Sequence, residues 1–411
     1  MSSGARPRGL RWASFAYFYC LGHCWGTFAA CIATILYRIN ISNARFGVLL
    51  AAVQVAGIPA MLAMGKLLDR RGVAAGRATT LLLAACTPLP IFAPSEWTLA
   101  VSLLIFGAAT ASTDVAANHA AAKHEEITGV SVFNGGHAMF SVGVAIASGV
   151  VALTLVGGSS LAVPAVLACL VCGGSYVVAS SVIKKLPIRT ASARTQSTPL
   201  VRFKPPSQVL ALAGLVGGAL LVESALGQWG GVHLGSTLGA SPALTGLAPG
   251  VFASAMVLTR LIIQKQQARL SDRALLLGSL VTATVGVLLL ALATNPGAGL
   301  LALALTGCGL AAVAPSSYGL IGRSVAGDQR GRAVSIATSI GYIGLLSGPV
   351  VVGLFSDRVG LRSTLAGLAI ITLALCAVVL ALRSMNREQG TDSASRADSA
   401  ATVVRGGADD I

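Results

Sequence analysis

The chain is short of charge. Only 10% of its 411 residues are Asp, Glu, Lys or Arg, against about 25% in soluble globular proteins. So few polar groups cannot cover a water-facing surface, which excludes a soluble enzyme or binding domain of this length. Acids are the scarcer sign, 14 against 29 bases. In a soluble chain the resulting net charge of +15 would point to nucleic acid, but a mean hydropathy of +0.79 removes that reading. No G-x-x-x-x-G-K-[ST] loop occurs, so ATP does not drive the protein directly. No nucleophile, base and orienting group gather on one side of a membrane, so the chain is not expected to be an enzyme. No cofactor is implied either. None of the eight cysteines lies in a polar loop, which excludes a disulfide scaffold. Cys20, His23 and Cys24 share a helix and would allow a metal, but no second ligand-bearing segment accompanies them. The cysteines read as small packing residues and no metal is assigned.

What is present is apolar length. Twelve runs of about 20 residues fit membrane spans, at 12–36, 46–64, 78–94, 98–119, 132–156, 161–183, 208–230, 243–263, 274–293, 298–320, 333–353 and 363–383. The first run is too long for a signal peptide. With an even count both termini share a side, and basic residues choose it. One set of connections and tails carries 24 of the bases. The opposite set carries Arg38, Arg45, Arg358 and Arg362, and Arg260 alone lies in a span. This predicts a multi-pass integral protein of the plasma (inner) membrane with both termini cytoplasmic. The positive charge then records orientation, and no nucleic-acid partner is expected.

The longest connection, after the sixth run, is basic and rich in Ser, Thr and Pro. It divides the chain into an N-terminal six-helix lobe (1–183), a cytoplasmic linker (184–206), a C-terminal six-helix lobe (207–383) and a polar, disordered cytoplasmic tail (384–411). Gly143, Gly149, Gly157 and Gly158 in the fifth span are weakly echoed by Gly341, Gly344, Gly348 and Gly353 in the eleventh, the equivalent place in the second half.

The connection after the second span reads Gly65-Lys66-Leu67-Leu68-Asp69-Arg70-Arg71-Gly72. Two turn glycines there flank an acid able to pair with a neighbouring helix end; alternatively the loop only fixes topology. It resembles the G-x-x-x-D-R-x-G-R-R loop of the major facilitator superfamily. Gly65, Asp69, Arg70 and Gly72 match, and Val73 and Ala74 replace the final basic pair. A narrower likeness joins Asp114 and Asn118, then Glu125, then the run Phe133-Asn134-Gly135-Gly136-His137-Ala138-Met139-Phe140-Ser141. This is similar to the YbjJ-like and fucose-permease-like members. Glu223, Trp229 and Leu234 fit it in the seventh span, whereas Thr259-Arg260 departs from the Gly-Arg of relatives, and Asp272-Arg273 is a degenerate second copy of the loop. The resemblance implies an all-α major facilitator fold with two six-helix lobes. It also implies proton symport, with the fourth-span carboxylate taking the proton and solute contacts nearby.

The residues support a similar site independently. Of the 14 acids only Asp114 and Glu223 fall within the apolar runs. An ionisable group in hydrocarbon costs roughly 2.5–3.5 kcal/mol even on the lenient insertion scale, so it faces an interior cavity. Gly107, Thr110, Asp114 and Asn118 form one helical stripe, and Asn134, His137 and Ser141 another. Such stripes line a water-accessible cleft. Removal from water disfavours a carboxylate's charge, which suits a group that binds and releases protons.

Two readings of Asp114 stand: the proton-coupling residue, or a structural acid paired with Arg260 or a loop base. Glu223, near the outer end of its span, is a second coupling candidate, a gate or substrate contact, or a residue reaching the outer interface. His137 is a helix-contact residue or a relay. The substrate cavity is assigned to Asn118, Asn134, His137, Ser141, His23, Trp229 and Tyr342. Arg260, one turn from its span's end, is expected to snorkel to the interface as a structural residue.

The expected protein is a monomeric secondary transporter whose partners are the bilayer, protons and a small polar solute such as a sugar or related metabolite. The alternatives are a proton-antiport exporter of drugs or metabolites and a non-transporting membrane receptor.

Overall fold

The computed structural model describes residues 5–130, 132–183, 205–266, 271–326 and 329–382. The expected tail lies outside these residues, as does the linker apart from Pro205 and Pro206. Twelve helical spans among them are long and apolar enough to cross a membrane. The first six are Arg8–Ile39, Asn43–Arg71, Val73–Phe92, Glu96–Thr128, Phe133–Val156 and Ala162–Ser181. The next six are Ser207–Leu238, Pro242–Lys265, Asp272–Leu292, Pro296–Arg323, Arg330–Val359 and Leu361–Ala381.

Each expected span is found, but several helices run well past their apolar stretch. The fourth continues through His119, Lys123 and Glu125 until Gly129, whose φ of 70° ends the helix. The seventh continues to Gly239, at φ 68°. Hydropathy falls where the chain leaves lipid, whereas backbone hydrogen bonding ends only where a residue adopts the left-handed conformation.

Glycine sets the closest helix approaches, and does so twice. A Cβ on Gly22 of the first span would strike the Phe140 carbonyl of the fifth, and one on Gly26 would lie 2.6 Å from Val144 Cα. In the second half Gly344 of the eleventh span meets the Gly217 backbone of the seventh, and Gly348 meets Leu221. Likewise Gly107 joins the fourth span to Val53 of the second, and Gly307 joins the tenth to Phe252 of the eighth. In lipid there is no hydrophobic drive between helices, so close van der Waals contact holds them. Every one of these pairings recurs six spans later, giving two six-helix lobes. The carbonyls that end the third and ninth spans are both met by an arginine, from the first span in one lobe and from the twelfth in the other. Arg38 donates to Ile91 O and Ala93 O at the end of the third span, and Arg362 donates to Ala293 O at the end of the ninth.

Two spans are broken by proline, which offers no N–H to the carbonyl four residues back. Pro88 leaves Ala84 O to the Cys169 thiol, at 3.2 Å. Pro315 leaves Ala311 O, at the break between the helices Pro296–Leu310 and Val313–Arg323, to Arg260 Nε at 3.0 Å. A neighbouring side chain satisfies the freed carbonyl in both cases.

The lobes meet through the second and eleventh spans and through the fifth and eighth. The contacts concentrate at one end of the bundle, opposite the end where the first span starts and the twelfth stops. At this far end Gly47 and Gly353 are so close that a Cβ on either would lie 2.6–2.8 Å from the other's Cα. The Asp357 side chain of the eleventh span accepts from Ala44 N, in the first turn of the second, at 3.2 Å. Gly246 of the eighth span rests on Ala30 and Val151, and Gly250 on Ser148.

Candidate functional site

Asp114 lies half-buried in the middle of the fourth span. Asn118, one turn on, donates from Nδ2 to Asp114 Oδ1 at 3.1 Å, which fixes the carboxyl on its own helix. The other oxygen looks across the cleft. Tyr342 of the eleventh span donates from its hydroxyl to Asp114 Oδ2 at 3.3 Å. One carboxyl thus accepts from both lobes. Tyr342 is 36% exposed although it lies well inside its span and reaches toward the other lobe, so the cleft at this depth is open. Tyr318 of the tenth span interacts with Tyr342, and its hydroxyl would lie 3.3 Å from a Cβ on Gly341.

The fifth span supplies the opposite wall. Asn134 and His137 are exposed toward its beginning, with the His137 ring tilted against Phe18 at 4.8 Å between centroids. Glu223 is half-buried halfway along the seventh span. The Arg260 charge acts on both Glu223 and His137. Polar and charged groups therefore converge on a cleft that is shut at the far end and open toward the end where the first span starts.

The sequence profile of the Major Facilitator Superfamily matches residues 219–406. The chain is 30% identical over 359 residues to an uncharacterized MFS-type transporter of Yersinia pestis, covering 85% of this chain and 89% of that one. The chain belongs to the major facilitator superfamily. It is also 25% identical to an uncharacterized transporter of Sinorhizobium fredii, over 86% of this chain and 94% of that one. In fold it is similar to a variant of the nucleoside transporter NupG, with a TM-score of 0.73 at 16% identity over 92% of this chain and all (100%) of that one. It is also similar to a bacterial homologue of the human lysosomal transporter Spinster in an inward-facing, occupied conformation. There the TM-score is 0.67 at 14% identity, over 92% of this chain and 97% of that one. The protein is a transporter of this superfamily, an integral multi-pass membrane protein and not an enzyme.

Within this transporter fold the expected site residues divide. Asp114, Asn118 and Tyr342 come together, and Asn134 and His137 face the same cleft. Ser141 does not: it is 7% exposed, and its hydroxyl is turned to His137 O on its own helix. His23 is 2% exposed, packed at Gly143, and neither ring nitrogen has a hydrogen-bond partner among the described residues. Trp229 is fully buried, donating from Nε1 to Pro349 O at 2.9 Å and standing edge-on to Phe46 of the other lobe. It is a packing residue of the far-end closure, not part of the open wall. Cys24 and Cys172 touch at 3.4 Å between the first and sixth spans.

Two expectations about position change. Glu223 is at mid-span, because the seventh helix extends eight residues beyond the expected end at 230. Arg260 does not snorkel to the interface. Helical side chains lean toward their helix's N-terminus, which carries this one away from the nearer end of its span and up to the broken tenth span.

The superfamily loop also differs from expectation. Gly65, Asp69 and Arg70 lie within the helix Asn43–Arg71, and Gly65 is not a turn residue. Gly72 is, at φ 67°, with its N–H donating to Leu68 O. Among the described residues Asp69 makes no hydrogen bond or ion pair; its charge reaches His119 of the fourth span. In the second copy the acid does pair, Asp272 with Arg323 at 2.7 Å, and Arg273 donates to Leu380 O. Tyr318 went unnoticed in the sequence, although a tyrosine is uncommon in a chain with six.

Proposed function

We propose that the chain carries a small polar solute by alternating access, coupled to protons through Asp114. The observation behind this reading is the intramembrane carboxyl that accepts from Asn118 in one lobe and Tyr342 in the other. Ionised, it is the stronger acceptor; protonated, it loses part of that attraction. Proton binding and lobe separation then act on the same hydrogen bond, which is what coupling requires.

The solute is polar in this reading because Asn118, Asn134, His137, Tyr318 and Tyr342 border the cleft. An exporter of apolar drugs would be better served by aromatic and aliphatic walls. The reading adopts cytoplasmic termini in the inner membrane, from the distribution of bases, so that the cleft opens inward. It also adopts a monomer and the two-lobe division with its linker at 184–206. The YbjJ-like and fucose-permease-like resemblance supports a proton symporter, with Glu223 as a second charged group of the cleft.

The test is flux in proteoliposomes with an imposed pH gradient, over a panel of sugars, nucleosides and small organic acids. At least one solute is expected to accumulate when the gradient is present and only to equilibrate without it. Facilitated flux indifferent to the gradient would remove proton coupling. A further expectation concerns Tyr342→Phe, which keeps the ring and deletes the hydroxyl. Loss of one hydrogen bond to a charged acceptor, about 1.5 kcal/mol, should shift the lobe equilibrium roughly tenfold. Spin-label distances between the fourth and eleventh spans at the end where the first span starts should lengthen, and an unaltered distribution would count against the inter-lobe bond.

A further inference from the structure

Arg260 is the one base within the apolar runs, and its surroundings do not neutralise it. It is half-buried in the inter-lobe region, and its only hydrogen bond among the described residues runs from Nε to Ala311 O at 3.0 Å. No carboxylate lies within 4.0 Å of it among those residues, although the Glu223 carboxyl and His137 ring are near enough to interact. The Nε bond has a local cause, the carbonyl freed by Pro315, and it holds the guanidinium plane in place. Both terminal nitrogens remain, a two-pronged donor with no acceptor among the described residues.

We propose that Arg260 binds a carboxylate carried by the transported solute. A fixed guanidinium with both terminal nitrogens free matches a carboxylate with two parallel hydrogen bonds. It also explains why an intramembrane cation is retained without an ion pair. The charge balance selects a single negative charge. Asp114 and Glu223 supply two acids to the same cleft and Arg260 one base, so a dianionic phosphate would meet repulsion that a monoanion largely avoids. His137 and Asn134 stand on the facing lobe, placed to reach the polar body of the solute. The assignment rests on the carrier reading above and narrows its solute to a polar monocarboxylate. It reverses the expectation that Arg260 is purely structural.

The experiment separates binding from transport. Purified full-length protein is heated with matched pairs: gluconate and gluconamide, lactate and lactamide, nicotinate and nicotinamide, with inorganic phosphate as a further anion. The acid of at least one pair is expected to raise the unfolding midpoint at concentrations about tenfold or more below those its amide requires. Arg260→Gln should erase that preference. Arg260→Lys, which keeps the charge and loses the fork, should weaken acid binding about tenfold and serves if the glutamine variant fails to fold. Absence of stabilisation by every acid, equal stabilisation by acid and amide, equal stabilisation by phosphate, or an acid preference undiminished in the Arg260 variants would each overturn the assignment. Flux of the same pairs in vesicles is read separately. Acid binding that depends on Arg260 but is never followed by flux would leave this site standing and defeat the carrier reading.

Discussion

Asp114→Asn is expected to abolish uphill accumulation while sparing exchange. Asparagine matches the shape of the carboxyl and retains an oxygen to accept from Tyr342 or Asn118, but it cannot take up a proton. A one-unit pH gradient coupled to one proton sustains about a tenfold concentration ratio, since one pH unit corresponds to 1.36 kcal/mol. The wild type should approach that ratio for its solute, and the variant should fall to about one. Counterflow, which needs the lobes to move but no net proton transfer, should persist within a few-fold. Accumulation equal to wild type would show that Asp114 is not the coupling group, and Glu223→Gln would then be the next variant to measure. Loss of counterflow together with accumulation would instead assign Asp114 to solute binding or to the fold.

The second large effect is expected at the far-end closure. Gly353→Leu puts a four-carbon side chain where a single Cβ would already stand 2.6 Å from Gly47 Cα and 2.8 Å from Asn43 O. These atoms are backbone of the other lobe and cannot rotate aside. The two lobes therefore have to separate at that end, and the Asp357 contact to Ala44 N and the packing of Phe46 on Trp229 should separate with them. A cysteine introduced near the mouth of the second span should become reactive to an impermeant thiol reagent from the far side, with rate gains of tenfold or more, and transport should stall. Folding should survive, because Gly353 packs between the lobes. Gly344→Leu is the contrast: that glycine meets the Gly217 backbone inside one lobe, so its replacement should lower the yield of folded protein. Unaltered far-side reactivity in folded Gly353→Leu would show that this glycine pair does not hold the closure.

The pairing of these glycines also indicates where sequence reasoning stops. Spaced glycines in the fifth and eleventh spans were visible as a faint echo, but which of them touch was not. Gly143 and Gly344 lie within a lobe and Gly353 lies between lobes, and nothing in their local sequence separates the two cases. Trp229 illustrates the same limit. A polar-tipped aromatic in a span reads as a cavity residue, and only the position of Pro349 O decides that its N–H is already used. Glu223 departs from its expected position for a simpler reason. Hydropathy marks where lipid ends and the helix continues past it, so an acid apparently near an end proved to be in the middle.

The shortage of charge was nevertheless decisive by itself. With 10% charged residues and 24 of 29 bases in one alternating set of connections and tails, solvation alone dictates a membrane protein of twelve spans, and the superfamily loop adds its class. The same scarcity singled out Asp114, because an acid in hydrocarbon must have a compensating environment. What that environment consists of was left to tertiary structure. The hydroxyl of Tyr342 is 228 residues away in sequence, and Ala311 O became available to Arg260 only because Pro315 breaks a helix beside it. Burial and span count follow from local transfer energies, which each segment carries with it. Partnership between charged groups depends on which helix faces come together, and that is settled only when two lobes of six helices have packed.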